Sequence, residues 1–428
     1  MTLDTKDTVI LYPLPATVFS RKQMGLFEPD TDIFRNRDAL REDYQPEEIV
    51  GRDEELQQYI AALQPVINGD QPSNIFLYGK AGVGKTACTR YLLDQLKSDA
   101  AEYDIDVTTI RTNCEDLSTS YQVAIQLINE LRAPTDQLKP TGYPRRQVNE
   151  WLWEELDSIG GTIVIVFDEV DHIEDDSILY QIPRARANGN LSECKVGIIG
   201  ISNDFKYRER LSSKVQSSLC EKELQFPAYD ANELRDILRQ RAEIAFYDGV
   251  VPQEVIAKCA AFGAKDAGDA RQSLDLLMEA GDIAVEENAA KLTEAHVDAA
   301  RTALERSRIA DGVAGLTQHG HLVLYALVMI HEEGDTPVRA RTIQERYEVV
   351  CDRAATDALV PRRMRDHLNE LAMLGIASRV ERNKGEVGGR YYEYALDTNP
   401  ELLLEALDET VDIVGVTHEV QRRLGRSH

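Results

Sequence analysis

Apolar residues recur along this chain in two rhythms. Short continuous runs at 74–79 (NIFLYG), 162–167 (TIVIVF) and 195–202 (KVGIIGIS) have the length and β-branched content of strands buried on both faces. Between and after them, apolar positions fall at helical spacing, as at Ala87, Tyr91, Leu92 and Leu96. Strand followed by helix, repeated, predicts an α/β fold built on a parallel sheet. The texture changes over 316–396. Helices are expected near 320–332 and 338–350, the second opened by Thr336-Pro337, since proline is tolerated in a first turn. A third is expected over 357–374, where Met364, Leu368, Leu371 and Gly375 recur on one face. Segments 376–381 and 391–396 then read as strands of a hairpin around the loop 382–390. Residues 1–32 read as a flexible arm and 397–428 as a helical tail with a basic end.

The length of 428 residues predicts two to four domains. The longest apolar stretches, 162–167 and 322–330, are too short to span a bilayer, so no membrane partner is expected. The six cysteines are scattered, with no CxxC pair, which points to a reducing cytoplasm. Acidic residues outnumber basic ones 74 to 48, a formal net charge of −26. Taken alone, that charge argues against nucleic acid. However, the acids are spread along the chain and Arg outnumbers Lys, a pattern suited to a salt-saturated cytoplasm. At molar salt the Debye length is about 3 Å, so global repulsion is screened and short-range contacts decide binding.

The first strand runs into Gly79-Lys80-Ala81-Gly82-Val83-Gly84-Lys85-Thr86, a full GxxxxGKT, and then into the helix that starts near Ala87. Strand, glycine-rich loop and helix is the context this phosphate-binding motif requires. Glycines let successive N–H groups turn inward on phosphates, and the helix N-terminus adds its positive dipole end. Lys85 is expected to reach the β- and γ-phosphates, and Thr86 to ligate Mg²⁺. The second strand ends in Asp168-Glu169: the Asp suits the Mg²⁺ shell and the Glu a general base for the attacking water. The third ends at Asn203, placed to orient that water. Gly-Asp-Ala-Arg at 268–271 opens a helical run. Arg271 at a helix start opposes the dipole, which makes sense if a phosphate lies nearby.

These elements, in this order, resemble an AAA+ ATPase: Walker A at 79–86, Walker B at 165–169, sensor 1 at Asn203 and sensor 2 at Arg271. More narrowly, the chain resembles the archaeal origin-recognition initiators, relatives of eukaryotic origin-recognition subunits and of the helicase-loading factor. The segments 33–54, 202–211 (SNDFKYRERL), 224–238 (LQFPAYDANELRDIL) and 268–277 (GDARQSLDLL) carry that likeness. The resemblance implies ATP or ADP between a base at 46–227, with further strands near 106–113 and 222–226, and a helical lid at 228–312. An arm at 1–45 would precede them and a winged-helix domain with its tail, 313–428, would follow. It also implies that Val50 and Arg52 pack by the adenine. One departure stands out: where eukaryotic relatives carry an arginine finger, this chain has Ser217 and Ser218. Loss of such a finger commonly costs about 10³-fold in rate, so slow, switch-like hydrolysis is expected.

Three helices and a hairpin make a winged-helix pattern, similar to the origin-binding domain of that family. Arg362, Arg365 and Asn369, with Arg363 at the flank, lie on the helix face away from the core and would read duplex origin DNA. Lys384 and Arg390, beside Gly388-Gly389, would meet phosphates or a minor groove. Initiator-type AAA+ proteins also carry a DNA-touching insertion after the strand near 106–113, which points to Arg145 and Arg146 here. The resemblance implies a nucleoid-associated cytoplasmic initiator, with the replicative helicase and paralogous subunits as partners. A signalling ATPase with a protein-binding winged helix, or a divergent paralogue that binds DNA away from origins as a regulator or a plasmid-specific initiator, are the competing functions.

Overall fold

The computed structural model describes residues 33–383 and 390–410. Five strands, β1 (Ile75–Tyr78), β2 (Val107–Asn113), β3 (Gly161–Asp168), β4 (Cys194–Ser202) and β5 (Lys222–Gln225), form a sheet in the order β2-β3-β4-β1-β5. All four pairings are parallel. Alternation along β3 shows why its run is apolar throughout. Ile163, Ile165 and Phe167 face the helices Ser120–Leu131, Arg145–Ile159 and Ser177–Arg184, whereas Val164 and Val166 face Asp53–Ile67 and Lys85–Glu102. Both faces of the sheet are therefore core, and its functional edge is the carboxyl ends of the strands.

Four helices follow: Ala231–Ala245, Gln253–Lys265, Ala270–Glu286 and Glu294–Ala314. Their shared core includes Leu234, Leu238, Ile256, Leu277 and Val297. Residues 33–45, expected to belong to an arm, pack on this bundle instead. Ile33, Ala39 and Leu40 are buried in its core, and Phe34 stacks on Phe246 with ring centroids 4.8 Å apart. The helix Glu294–Ala314 is continuous across the expected boundary at 312. Val297 and Ala300 belong to the lid core, while Ile309 and Val313 belong to the next one.

That next core surrounds the helix Gln318–Glu332, whose residues 320–330 are all buried. Around it lie Ala340–Arg353, Pro361–Met373 and Pro400–Thr410, with a second sheet of β6 (Val338–Arg339), β7 (Ala377–Asn383) and β8 (Arg390–Leu396) in the order β6-β8-β7. Pro337 does not open a helix as expected. It leads into β6, whose two residues pair antiparallel with Glu393 and Tyr394, and the helix starts only at Ala340. Among the described residues no helix is long and apolar enough to cross a membrane.

Candidate nucleotide site and nucleic-acid interface

The glycine-rich loop joins β1 to the helix Lys85–Glu102. Two of its glycines are required by geometry. Gly82 sits at φ 70°, and a Cβ there would lie 1.7 Å from Asp269 Oδ1. Gly84, at φ 90°, caps the helix in the left-handed region and offers no side-chain acceptor. The first N–H groups of the helix are thus left to an external anion, which fits a phosphate.

Lys85 is only 5% exposed. Its Nζ donates to the Gly79 carbonyl (2.8 Å), the Lys80 carbonyl (2.6 Å) and Asn203 Oδ1 (2.8 Å). Burial lowers its pKa to about 8, partly opposed by the charges of Asp168 and Asp171. Thr86 Oγ1 donates to Asp168 Oδ2 at 2.9 Å, which brings together the two expected Mg²⁺ residues. The donor set of one hydroxyl and one carboxylate suits a hard cation. Glu169 is held at φ 54°, ψ 42°, a left-handed conformation that costs about 1–3 kcal/mol for a non-glycine residue. Its backbone N–H donates to Asp168 Oδ1, and its carboxylate accepts from Asn203 Nδ2 at 3.5 Å. Burial, then the charge of Glu115, raises the Glu169 pKa, a direction that suits a base near neutrality. Lys85, Asp168, Glu169 and Asn203 therefore converge at the carboxyl ends of β3 and β4, beside the loop.

The lid meets the loop directly. The Ala270 N–H, at the start of a lid helix capped by Asp269, donates to the Gly82 carbonyl at 3.0 Å. Arg271 follows on that helix, its guanidinium paired with the Glu42 carboxylate. Arg52 is 1% exposed and works from below the loop. It donates to the carbonyls of Val83 (3.1 Å) and Pro227 (2.7 Å) and lies 3.6 Å from the centre of the Tyr229 ring. Its donors are thus committed to the loop and to the base–lid junction, with half-buried Val50 two residues before it. Glu42, Tyr229 and Asp269 were not legible as site residues. Asp269 stands two residues before Arg271, and Glu42 and Tyr229 fall in the segments 33–54 and 224–238, but no pattern singled out these residues.

On the helix Pro361–Met373, Met364, Leu368 and Leu371 are buried and Arg362, Arg363 and Arg365 are exposed. None of the three arginines has an ion-pair partner among the described residues. Asn369 is half-buried rather than on the open face. Its Oδ1 accepts from Arg379 (2.8 Å) and from the Tyr394 hydroxyl (3.4 Å). Arg379 also stacks on Tyr392 at 4.6 Å, so a wing arginine absent from the sequence expectations joins this surface. Lys384, Gly388 and Gly389 lie outside the described residues. The backbone of Arg390 pairs with Asn383 at the loop end of the hairpin. Arg145 and Arg146 open a helix and are both engaged. Arg145 reaches Asp175 (2.8 Å) and Ser177 (2.6 Å), and Arg146 reaches Glu150 (2.8 Å). Ser217 and Ser218 bond back to the Lys214 carbonyl, and nearby Arg208 and Arg210 pair with Glu223 and Asp204.

Comparison with known proteins agrees with this layout. Residues 68–210 match an AAA domain, 235–302 a Cdc6 AAA+ ATPase-type lid domain, and 311–406 a CDC6 C-terminal winged helix domain. The chain is 64% identical to ORC1-type DNA replication protein 11 of Haloarcula marismortui, over 93% of this chain and 96% of that one. It is 48% identical to ORC1-type DNA replication protein 10 of Halobacterium salinarum, over 94% and 97%. Among solved structures, the Aeropyrum pernix ORC1 protein in complex with DNA matches with a TM-score of 0.75 at 36% identity, covering 90% of this chain and 98% of that one. The AAA+ base, lid and C-terminal winged helix expected from the sequence are thus borne out, as is the likeness to halophile proteins.

Proposed function

The chain belongs to the family of ORC1-type DNA replication proteins, and on that premise we propose that it is an ATP-switched initiator of DNA replication. It binds duplex origin DNA through its winged helix and helps to recruit or load the replicative helicase, alone or with paralogous subunits. It works in the cytoplasm, at the nucleoid. The observation that carries this reading is the row of exposed arginines on the helix Pro361–Met373, which have no ion-pair partner among the described residues. In a chain of net charge −26, arginines without carboxylate partners are kept for an external anion. The Aeropyrum relative of the same architecture was captured with DNA, which supports the same partner here.

In the nucleotide site, Lys85 and the loop N–H groups hold phosphates, while Thr86 and Asp168 hold Mg²⁺. Bound Mg²⁺ supplies charge neutralisation at the oxygens of the transferring phosphate. Glu169 takes a proton from the attacking water, which Asn203 orients. Val50 and Arg52 border the adenine side, where Arg52 fixes the loop. Arg271 exchanges Glu42 for the terminal phosphate, so lid and base answer to the same group. Ser217 and Ser218 stand in place of a finger, so turnover is slow and suited to a switch.

The test is selection of host genomic fragments by the full chain at molar KCl with ATP and Mg²⁺. Enrichment of a few intergenic fragments is expected. Arg362→Ala with Arg365→Ala should lose it, since each base contact is worth about 1–3 kcal/mol. Selection of nothing by the wild type would leave a winged helix that binds protein.

A further inference from the structure

A cavity of about 290 Å³ lies next to the metal residues, on the side of the edge strand β2. Thr86, Thr89 and Arg90 line it from the helix after the loop, Arg111 and Asn113 from β2, and Asp168 from β3. Its lining mixes polar groups with the apolar Val166 and Ile201, and its two guanidinium groups outnumber its one carboxylate, Asp168. Both Asp168 oxygens are already engaged, Oδ2 by the Thr86 hydroxyl and Oδ1 by the Glu169 N–H. Arg90 Nε is shielded from solvent and has no hydrogen-bond partner. Arg111 is exposed and makes no ion pair among the described residues. A buried guanidinium N–H left unsatisfied is costly, and a ligand that accepts from it recovers that cost.

We propose that this cavity is a binding site for inorganic phosphate, held by the guanidinium groups of Arg90 and Arg111. Arginine suits the ligand, because its planar fork donates two bonds to phosphate oxygens. The volume admits such an anion with water beside it, given about 30 Å³ for each liquid water. Proximity to Thr86 and Asp168 gives the site a role: a station for the phosphate cleaved next door. In that cleavage the water oxygen bonds to the terminal phosphorus as the bond from phosphorus to the bridging oxygen breaks. ADP and inorganic phosphate result, and the water's proton passes to Glu169. The role rests on the hydrolysis proposed above, whereas the anion binding does not.

The experiment is calorimetric titration of inorganic phosphate into the full chain saturated with ADP and Mg²⁺, in molar KCl so that chloride competes throughout. With the phosphate loop filled, one further phosphate per chain is expected. Arg90→Gln and Arg111→Gln should each weaken it about tenfold or more, as loss of a charge-assisted bond does. Arg111→Lys, which keeps the charge but loses the fork, should bind phosphate more weakly than the wild type and more tightly than Arg111→Gln, and all three variants should bind ADP as the wild type does. Because Arg111 is exposed, its substitutions leave the core intact even if Arg90→Gln misfolds. Absence of phosphate binding to the ADP-loaded wild type, or binding indifferent to Arg111→Gln, would overturn the proposal. If the wild type took up no ADP, the nucleotide reading would fail. Arg111-dependent phosphate binding to the nucleotide-free chain would then still support the cavity.

Discussion

The nucleotide site and the proposed nucleic-acid face treat charge in opposite ways. Around the phosphate loop every key group is already spoken for: Lys85 by two carbonyls and Asn203, Thr86 by Asp168, Arg271 by Glu42. On the winged helix, Arg362, Arg363 and Arg365 stand exposed without a carboxylate partner among the described residues. The first arrangement is preorganised, so binding there exchanges one set of partners for another. The second gains partners outright but leaves nothing fixed in advance. A site of the first kind is broken by single atoms, whereas one of the second kind loses strength by degrees.

The largest effect should therefore come from the nucleotide side. Glu169→Gln keeps the size and the Asn203 contact but removes the basic oxygen. Hydrolysis of bound ATP, followed as phosphate release in a single turnover, should fall by about 10²-fold or more, with ATP affinity within a few-fold of wild type. Unchanged turnover would remove Glu169 from the role of base and blunt the contrast between the two regions.

A tenfold effect should follow from pH. In the nucleotide-free fold, Lys85 has a pKa of about 8, lowered from the ordinary lysine value by burial. Phosphate favours the charged ammonium, so binding above that pH must take up a proton. Affinity for ATP should be flat with respect to this group below pH 8. Above it, affinity should decline toward about tenfold per pH unit until the ordinary lysine range is reached. The stability of the empty fold should move the other way, rising over the same window, because the folded state prefers Lys85 neutral. Equilibrium binding of a nucleotide between pH 7 and 10 reads the first effect. A flat profile would mean that the carbonyls of Gly79 and Lys80 hold the ammonium charged throughout.

The same contrast explains how much was legible in the sequence. The phosphate loop works through backbone, and backbone demands leave fixed residues in a row: Gly82 and Gly84 at positive φ, then Lys85 and Thr86. Asp168 and Asn203 are marked by the apolar strands that end beside them. What stayed hidden depends on pairs that form between different elements. Arg271 with Glu42 and Asn369 with Arg379 meet only once the domains have folded. Residues 33–45 offered too few apolar positions to show a period, although Ile33, Ala39 and Leu40 are fully committed to the lid core. The two residues of β6 are too short to register any alternation, so Pro337 read as a helix start.

The smallest effect tests where the nucleic-acid face ends. The family resemblance assigns Arg145 and Arg146 to DNA, yet both are paired like groups of the nucleotide site, whereas those of the winged helix have no carboxylate partner among the described residues. Arg146 is 90% exposed, and its Glu150 pair is a solvent-screened i,i+4 contact on an open helix face, so a phosphate would displace the carboxylate easily. Arg145 is held by both Asp175 and Ser177, and releasing it costs more. Whatever Arg145 and Arg146 contribute to DNA is the difference between a phosphate contact and the pair already made. At molar salt that difference is small, because the release of counterions no longer favours binding. Arg145→Ala with Arg146→Ala should then weaken binding to a selected fragment by no more than about threefold, with ATP affinity unchanged. A loss as large as that of the Arg362 and Arg365 pair would extend the free-charge surface onto the AAA+ base and erase the boundary between the two regions.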